Sequence, residues 1–270
     1  PPRDFTPTST SSWRVCQFRH QRDGGIRFYH GKHSPATVES LKMSKNTLNI
    51  HEIFLSIQGE SSKSGLPCVF VRLRGCPLRC HYCDTSYAFR EGDSMHIETI
   101  IQTIQSYGCP LVEITGGEPL IQPEVHSLMR QLCDLDFTVM LETCGQLPIA
   151  NCDPRVHRIV DIKTPNSGAA DSFLEENYDA LCSTDEIKFV LTNKEDFDWA
   201  IGVVREHDLL DTVAEVHFSP VMFQEANGCV QGCEALSPEL LAGWILDAGE
   251  RIRLHLQLHR YVWAPDARGV

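Results

Sequence analysis

The 270-residue chain has no apolar run approaching the roughly 20 residues that a bilayer-spanning helix needs, so no segment of it reads as a membrane span. It also lacks a surplus of positive charge. Its 24 Lys and Arg stand against 36 Asp and Glu, a net charge of −12, which argues against general affinity for nucleic acid. No internal repeat is evident. The N-terminal region has no apolar centre of the kind a secretory signal carries, which removes the usual reason to read 12 cysteines as a disulfide framework. Three of those cysteines fall within eight residues, too close together for ordinary disulfides, so a metal site in a reducing cytoplasm is the better reading. Hydrophobic residues at 42% suffice for the core of one substantial domain, or of one domain and a tail.

Residues 1–42 differ from the rest. They begin Pro-Pro, continue through Thr-Pro-Thr-Ser-Thr-Ser-Ser, and hold seven basic residues against three acidic ones. They have neither helical nor strand periodicity. The expectation is a disordered or non-native extension, with the native start at Met43; an Arg- and Ser-rich transit peptide is the alternative. Residues 43–270 then form a single domain.

Beyond Met43, short apolar runs alternate with helical patterns. Strands are expected at His51–Ile57, Cys68–Arg74, Leu111–Thr115, Phe137–Thr143, Arg158–Lys163, Glu186–Leu191, Val213–Ser219 and Ile252–Leu258. Helices are expected at Ile97–Tyr107, Pro123–Asp134, Lys194–His207 and Pro238–Ala248. This alternation predicts an α/β fold with mainly parallel strands. With so many units, a partial (β/α) barrel is expected rather than an open doubly wound sheet, with chemistry at the C-terminal strand ends.

The chemistry concentrates in Gly75-Cys-Pro-Leu-Arg-Cys-His-Tyr-Cys-Asp-Thr85, directly after a strand. Cys76, Cys80 and Cys83 make a Cys-x3-Cys-x2-Cys pattern. Thiolates bind iron well, and a loop can bring several onto one small volume. Three thiolates on a four-iron cluster leave one iron open to a small chelating molecule. The alternatives are unligated thiols or zinc. A structural zinc usually takes four ligands, often as two separated pairs, and His81 as a fourth would strain the loop.

This loop, together with Thr115-Gly-Gly-Glu-Pro119 one strand later, resembles the signature of the radical S-adenosylmethionine superfamily. The resemblance implies a partial barrel of that type. It implies a 4Fe-4S cluster whose open iron is chelated by S-adenosylmethionine, and a 5′-deoxyadenosyl radical made by reductive cleavage. It also implies that the glycine-rich segment holds the methionine amino group through exposed carbonyls and a carboxylate; glycines there permit close backbone approach.

Further segments narrow the resemblance: Phe54-Leu-Ser-Ile-Gln-Gly-Glu60, Gly65-Leu-Pro67, Phe70-Val-Arg-Leu-Arg-Gly75, Cys83-Asp-Thr85, Leu141-Glu-Thr-Cys-Gly145 and Asp161-Ile-Lys-Thr-Pro165. From about Asn49 to Val262 the chain is similar to the 7-carboxy-7-deazaguanine synthase family of queuosine and 7-deazapurine biosynthesis. That similarity implies a carbon–nitrogen lyase that contracts the ring of 6-carboxy-5,6,7,8-tetrahydropterin and releases ammonia. The first step would take hydrogen from the ring carbon bearing the carboxylate. By position, Ile57, Gln58, Gly59, Arg72 and Thr115 are implied to contact the pterin, with Arg72 facing its carboxylate, where a planar fork of donors fits well. Thr85 is implied to bind Mg²⁺, alongside the cluster ligands Cys76, Cys80 and Cys83. Tyr82, Cys83, Asp84, Gly117, Glu142, Asp161, Ile162, Lys163 and Ser219 are implied to line the S-adenosylmethionine site.

Plainer roles stand beside these. Arg72 can be a surface strand arginine, Thr85 can cap a turn, and Glu142 and Lys163 can form a salt bridge between strand ends. The pair Cys229 and Cys233 has too few thiolates for a second cluster and is expected in a surface loop. Cys144 stands where the family often has Asn, and Ser61 where it often has Gly. The tail from Ala264 to Val270 carries no readable chemistry. The implied partners are the pterin substrate, an electron donor such as flavodoxin or ferredoxin, and a second copy in a homodimer. Two other functions remain open: an activating enzyme that makes a glycyl radical on a partner protein, and a non-catalytic metal-binding or redox-sensing protein.

Overall fold

The structure, a computed structural model, describes residues 46–264 and 267–270. The expectations for residues 1–42 and for a start at Met43 lie outside the described residues. The fold is that of the unit from Met43 to Val270.

The strands are β1 (Thr47–Ile57), β2 (Pro67–Leu73), β3 (Asp93–His96), β4 (Leu111–Gly116), β5 (Thr138–Thr143), β6 (His157–Asp161), β7 (Glu186–Leu191), β8 (Glu215–Pro220) and β9 (Arg253–Leu254). The helices are α1 (Ile97–Ser106), α2 (Val125–Asp134), α3 (Asn177–Ala180), α4 (Lys194–Glu206), α5 (Leu209–Thr212), α6 (Pro238–Ala248) and α7 (His259–Val262). Among the described residues the strands form one sheet in the order β3-β1-β2-β4-β5-β6-β7-β8-β9. β1 runs antiparallel to β2 and β3, and every pairing from β2–β4 through β8–β9 is parallel. Because β3 and β9 remain edges, the barrel is partial, as the strand count implied.

The parallel strands read as near-continuous apolar runs because both their faces are covered. In Leu111–Gly116 every residue but the last is buried, and Glu186–Leu191 is buried apart from Val190. The helices cover the outer face through one stripe each. Ile97, Ile100, Ile101 and Ile104 repeat at three and four residues along α1, and Val125, Leu128, Met129 and Leu132 do so along α2; all are buried. Each such side chain contributes about 1.5–3 kcal/mol by leaving water. Phe189 of β7, Phe218 of β8 and Phe197 of α4 meet edge to face behind the sheet. Asn193 and Ser237 cap α4 and α6 by accepting from Asp196 N and Leu240 N, and Gly249 at φ 67° ends α6.

Two elements differ from expectation. β3 is polar and exposed, so it has no apolar pattern to read. The strand expected over Ile252–Leu258 pairs only at Arg253 and Leu254, because the chain then leaves the ladder: His255 N donates to Phe218 O, and Leu258 N donates to Gly59 O on the opposite side of the barrel.

A buried ion pair ties β6 to the turn before β7. Arg158 donates from Nε and Nη2 to the two oxygens of Asp185, at 2.8 and 2.5 Å, and also reaches the carbonyls of Ile149 and Ala180. Asp185 is fully buried. Asp185→Ala leaves that guanidinium charge without its partner, and we expect a loss of about 3–5 kcal/mol in urea unfolding. A loss below about 1 kcal/mol, the usual value of an exposed pair, would show that water reaches the site.

Candidate active site

The C-terminal ends of the parallel strands open onto one cavity of about 640 Å³. Most of its walls begin as a strand end followed by a loop.

After β2, Gly75 at φ 98° turns the chain into the cysteine loop. The glycines after β4 then pack against the base of that loop. A Cβ on Gly117 would lie 2.0 Å from Gly75 O and 2.7 Å from Cys76 Cβ, so only glycine fits. Glu118 N donates to Gly75 O at 2.8 Å. The carboxylate of Glu118 is fully buried and already engaged: it accepts from Leu120 N, Thr143 Oγ1 and Cys144 N at 2.8–2.9 Å. The glycine-rich segment therefore offers the cavity its backbone, while its carboxylate ties the end of β4 to the end of β5.

Cys76, Cys80 and Cys83 all line the cavity, with Cys144 and Leu78 packed among them. Arg79 donates to the carbonyls of Cys76 and Leu78 and lies over the Phe89 ring at 4.3 Å, which fixes the turn. His81 turns away: its ring packs against Gly168, and its backbone N–H donates to Ser167 O. Burial raises the thiols of Cys76 and Cys80 and pushes Cys83 up to about 12, with Asp84 adding to the last. Such thiols lose their protons only to a strongly charged metal centre. Among the described residues no three His, Cys, Asp or Glu side chains converge on a single ion. A four-iron cluster asks for something else, because each cysteine binds a different iron. The donor set fits a cluster better than one zinc ion.

Two buried polar atoms on this wall have no hydrogen-bond partner: Tyr82 OH and Asp161 Oδ1. Both belong to residues expected to bind S-adenosylmethionine, and unpaired atoms of this kind call for a polar ligand. Of the other residues so expected, Cys83, Asp84, Gly117, Glu142 and Lys163 line the cavity. Ile162 and Ser219 are buried and are not among the lining residues. All five pterin candidates, Ile57, Gln58, Gly59, Arg72 and Thr115, line it, as does Thr85. Arg72 is no surface arginine. Its Nε donates to Glu52 at 2.8 Å inside the cavity. Thr85 stands at the start of a short helical turn but makes no side-chain cap bond; its hydroxyl lies 3.7 Å from Cys83 Sγ.

The floor is a charge network that the sequence only partly anticipates. Glu142 and Lys163 do not pair with each other. Lys163 binds Asp161 at 2.8 Å, and Glu142 binds Lys188. Lys188 also binds Glu60 at 2.7 Å and approaches Asp161 at 3.5 Å. Burial opposes charge on Lys188, but these carboxylates hold its pKa well above the usual value. Burial likewise works to raise the pKa of Glu60, and the ammonium of Lys188, the largest opposing influence, holds Glu60 well below the usual carboxylate range. Glu113, which contacts Gln58 Nε2, is pushed up to about 8 by burial and by Glu142.

Sequence reasoning missed Glu60, Glu113 and Lys188, all of which line the cavity; Gln257 and His259, in the C-terminal stretch that the family resemblance implies can supply substrate contacts, line it too. A signal existed for two of the missed residues. Glu113 and Lys188 interrupt otherwise apolar strands, and a charge inside a strand covered on both faces needs a partner or a function. The C-terminal residues Ala267–Val270 also line the cavity, and the Arg268 guanidinium lies 4.3 Å over Tyr87.

The Glu113 shift has a measurable sign. From its ordinary 4.5 to about 8, the folded chain keeps a proton that the unfolded chain has released, so stability is lost as pH rises through that window. Glu113→Gln, which mimics the protonated form, should flatten this fall by up to roughly 1.4 kcal/mol per pH unit. Urea unfolding of both proteins across the window measures it, and parallel curves would show Glu113 to be ionised throughout.

A glycine-rich shelf packed on a three-cysteine loop, at the C-terminal mouth of a partial parallel barrel, defines a radical S-adenosylmethionine enzyme, and the Radical SAM superfamily profile matches residues 70–164. The chain is 44% identical over 226 residues to the 7-carboxy-7-deazaguanine synthase of Chlorobaculum tepidum, covering 83% of this chain and 97% of that protein. It is 43% identical, also over 226 residues, to that of Koribacter versatilis, covering 83% and 100%. The chain belongs to the 7-carboxy-7-deazaguanine synthase family. Its fold matches the crystal structure of QueE from Escherichia coli with a TM-score of 0.63 at 22% identity, over 82% of this chain and 100% of that one.

Proposed function

We propose that this chain converts 6-carboxy-5,6,7,8-tetrahydropterin to 7-carboxy-7-deazaguanine with release of ammonia. The observation that carries this reading is the convergence, in one cavity, of Cys76, Cys80 and Cys83 with Arg72 and the Gln58–Glu60 loop. Family membership across 97–100% of the relatives' length supports it.

Cys76, Cys80 and Cys83 would hold the 4Fe-4S cluster, and the wall of Tyr82, Asp84, Gly117, Glu142, Asp161 and Lys163 would hold S-adenosylmethionine. When bound, these groups supply the one-electron chemistry that starts hydrogen abstraction. The protein's own part is binding, orientation and exclusion of water. Arg72, anchored by Glu52, presents a planar cation to the substrate carboxylate. Gln58, Glu60 and Thr115 offer hydrogen bonds to the heterocycle. Glu113 keeps a proton near neutral pH, so the floor provides a carboxylic acid as well as carboxylates. Mg²⁺ would sit at Thr85, completing its shell with waters and substrate oxygens.

We further infer a flavodoxin or ferredoxin as electron donor, a homodimer and a cytoplasmic location. Among the described residues no helix is long and apolar enough to cross a membrane. The test is anaerobic reconstitution of the cluster, followed by S-adenosylmethionine, reductant, Mg²⁺ and the carboxypterin. Mass detection of 7-carboxy-7-deazaguanine is the expected result, with lower turnover when Mg²⁺ is withheld. Cofactor cleavage without pterin turnover would support a glycyl-radical activating role, and an intact cluster that cleaves nothing would leave only a non-catalytic one.

A further inference from the structure

Side chains alternate along a strand, so Glu186 lies on the same face of β7 as Lys188, and His217 and Ser219 of β8 lie on the same side as Val221, the residue that follows the strand. Lys188 and Val221 line the cavity. Glu186, His217 and Ser219 do not, and with His255 they form a buried polar layer beneath it. Glu186 accepts from Ser62 N at 2.9 Å and lies 2.8 Å from His217 Nε2.

His255 is the member whose bonds run in a fixed order. Ser61 N–H donates to His255 Nε2 at 2.8 Å, so Nε2 carries a lone pair and no proton. The proton is therefore on Nδ1, which faces Ser219 Oγ at 2.7 Å. The Ser219 hydroxyl has its own acceptor in the His255 carbonyl at 3.0 Å. Each donor in the chain has one acceptor, and an imidazolium would have nothing to offer Ser61. Burial agrees, pushing the His255 pKa down to about 4 against the pull of Glu60.

What His255 grips is the loop that makes the substrate wall. Ser61 sits at φ 64°, a left-handed conformation that costs a non-glycine residue about 1 kcal/mol and persists only where its surroundings enforce it. The neighbouring residues are Gln58, Gly59 and Glu60. The same C-terminal segment holds them at two more points: Leu258 N donates to Gly59 O at 2.9 Å, and Gln257 Nε2 donates to Glu60 at 2.9 Å.

We propose that His255, fixed in its Nδ1–H tautomer by Ser219, is a positioning residue that clamps Ser61 N–H and thereby sets the Gln58–Glu60 wall against the pterin. This role rests on the function proposed above.

The test compares wild type with His255→Leu, His255→Gln and Ser219→Ala, all with reconstituted clusters. The readouts are KM and kcat for the carboxypterin, iron content and thermal midpoint. His255→Leu should raise KM about tenfold, the value of one buried hydrogen bond, with kcat and iron content little changed. His255→Gln places an amide oxygen near the Nε2 position and should recover most of that loss, while Ser219→Ala should give about a threefold rise. Should His255→Leu not fold, the Ser219→Ala rise with normal iron content carries the test. An unchanged KM in Ser219→Ala and in any folded His255→Leu would overturn the assignment. A glutamine variant no better than a folded leucine variant would also overturn it. A wild-type enzyme that turns over no pterin would instead overturn the functional reading, and this assignment with it.

Discussion

Cys80→Ala should abolish S-adenosylmethionine cleavage and leave the chain folded. Cys80 is the central thiol of the loop and the most buried of the three, and no other described cysteine stands on that loop to replace it. Two thiolates do not hold a four-iron cluster, so iron should fall well below four per chain after reconstitution. Cofactor cleavage should fall by at least about 10³-fold, because the cysteines act as a unit and not as independent contributors. The apo-protein should lose only about 1 kcal/mol of stability, since alanine removes one sulfur atom from a site at the cavity wall.

The informative control is Cys144→Ala. Cys144 is also buried and lines the same cavity, packed with Leu78 and Cys80. Its backbone N–H is tied to Glu118, and burial with Glu118 nearby holds its thiol well above the usual range. If three cysteines suffice, Cys144→Ala keeps its iron and its cleavage activity. Equal iron loss in both variants would mean four protein ligands, with no iron left open for S-adenosylmethionine.

Much of this site was legible because its chemistry sits in contiguous motifs. Cys76, Cys80 and Cys83 share one loop, and Gly116 and Gly117 end the adjacent parallel strand, so local spacing and strand alternation together bring them face to face. The four main helices were legible from their apolar stripes, isoleucine along α1 and phenylalanine, isoleucine and valine along α4. Other features depend on contacts that spacing does not encode. The Glu142 partner is Lys188, 46 residues away on a strand two positions across the sheet. Glu118 reads as a ligand in its motif, yet its oxygens are consumed by Thr143 and Cys144. His255 reads as one polar residue in a strand, and its role appears only when the chain abandons β9 and crosses to Ser61, 194 residues earlier. Ser219, which the family resemblance implies lines the cofactor site, is buried on the same face as the cavity-lining Val221 and one step deeper.

Lys188→Met carries the second large effect, and it separates the network's electrostatics from its packing. Lys188 is the cation shared by Glu60, Glu142 and Asp161, and its side chain is only 6% exposed. Methionine preserves most of the volume but removes the charge. Lys163 remains bonded to Asp161, which leaves Glu60 and Glu142 buried without a cation in contact. Breaking a buried pair from one side costs about 3–5 kcal/mol, and the remaining carboxyls can escape part of that cost by taking up protons. Stability of the variant should therefore fall most steeply at high pH, where those protons must be given up. Turnover should fall by roughly 10²-fold or more, because the Glu60 wall and the Glu142 contact with Thr115 lose their common anchor. Adding Glu142→Gln to Lys188→Met removes one orphaned charge. The double variant should regain about 1–3 kcal/mol relative to Lys188→Met alone, a coupling expected of groups in direct contact. It should regain little activity, since Glu142 itself faces the cavity. Additive stability losses in this cycle would show that Lys188 and Glu142 are separated by solvent in solution. Recovery of full activity by the double variant would place Glu142 outside the reaction and leave Lys188 with a purely electrostatic role beneath it.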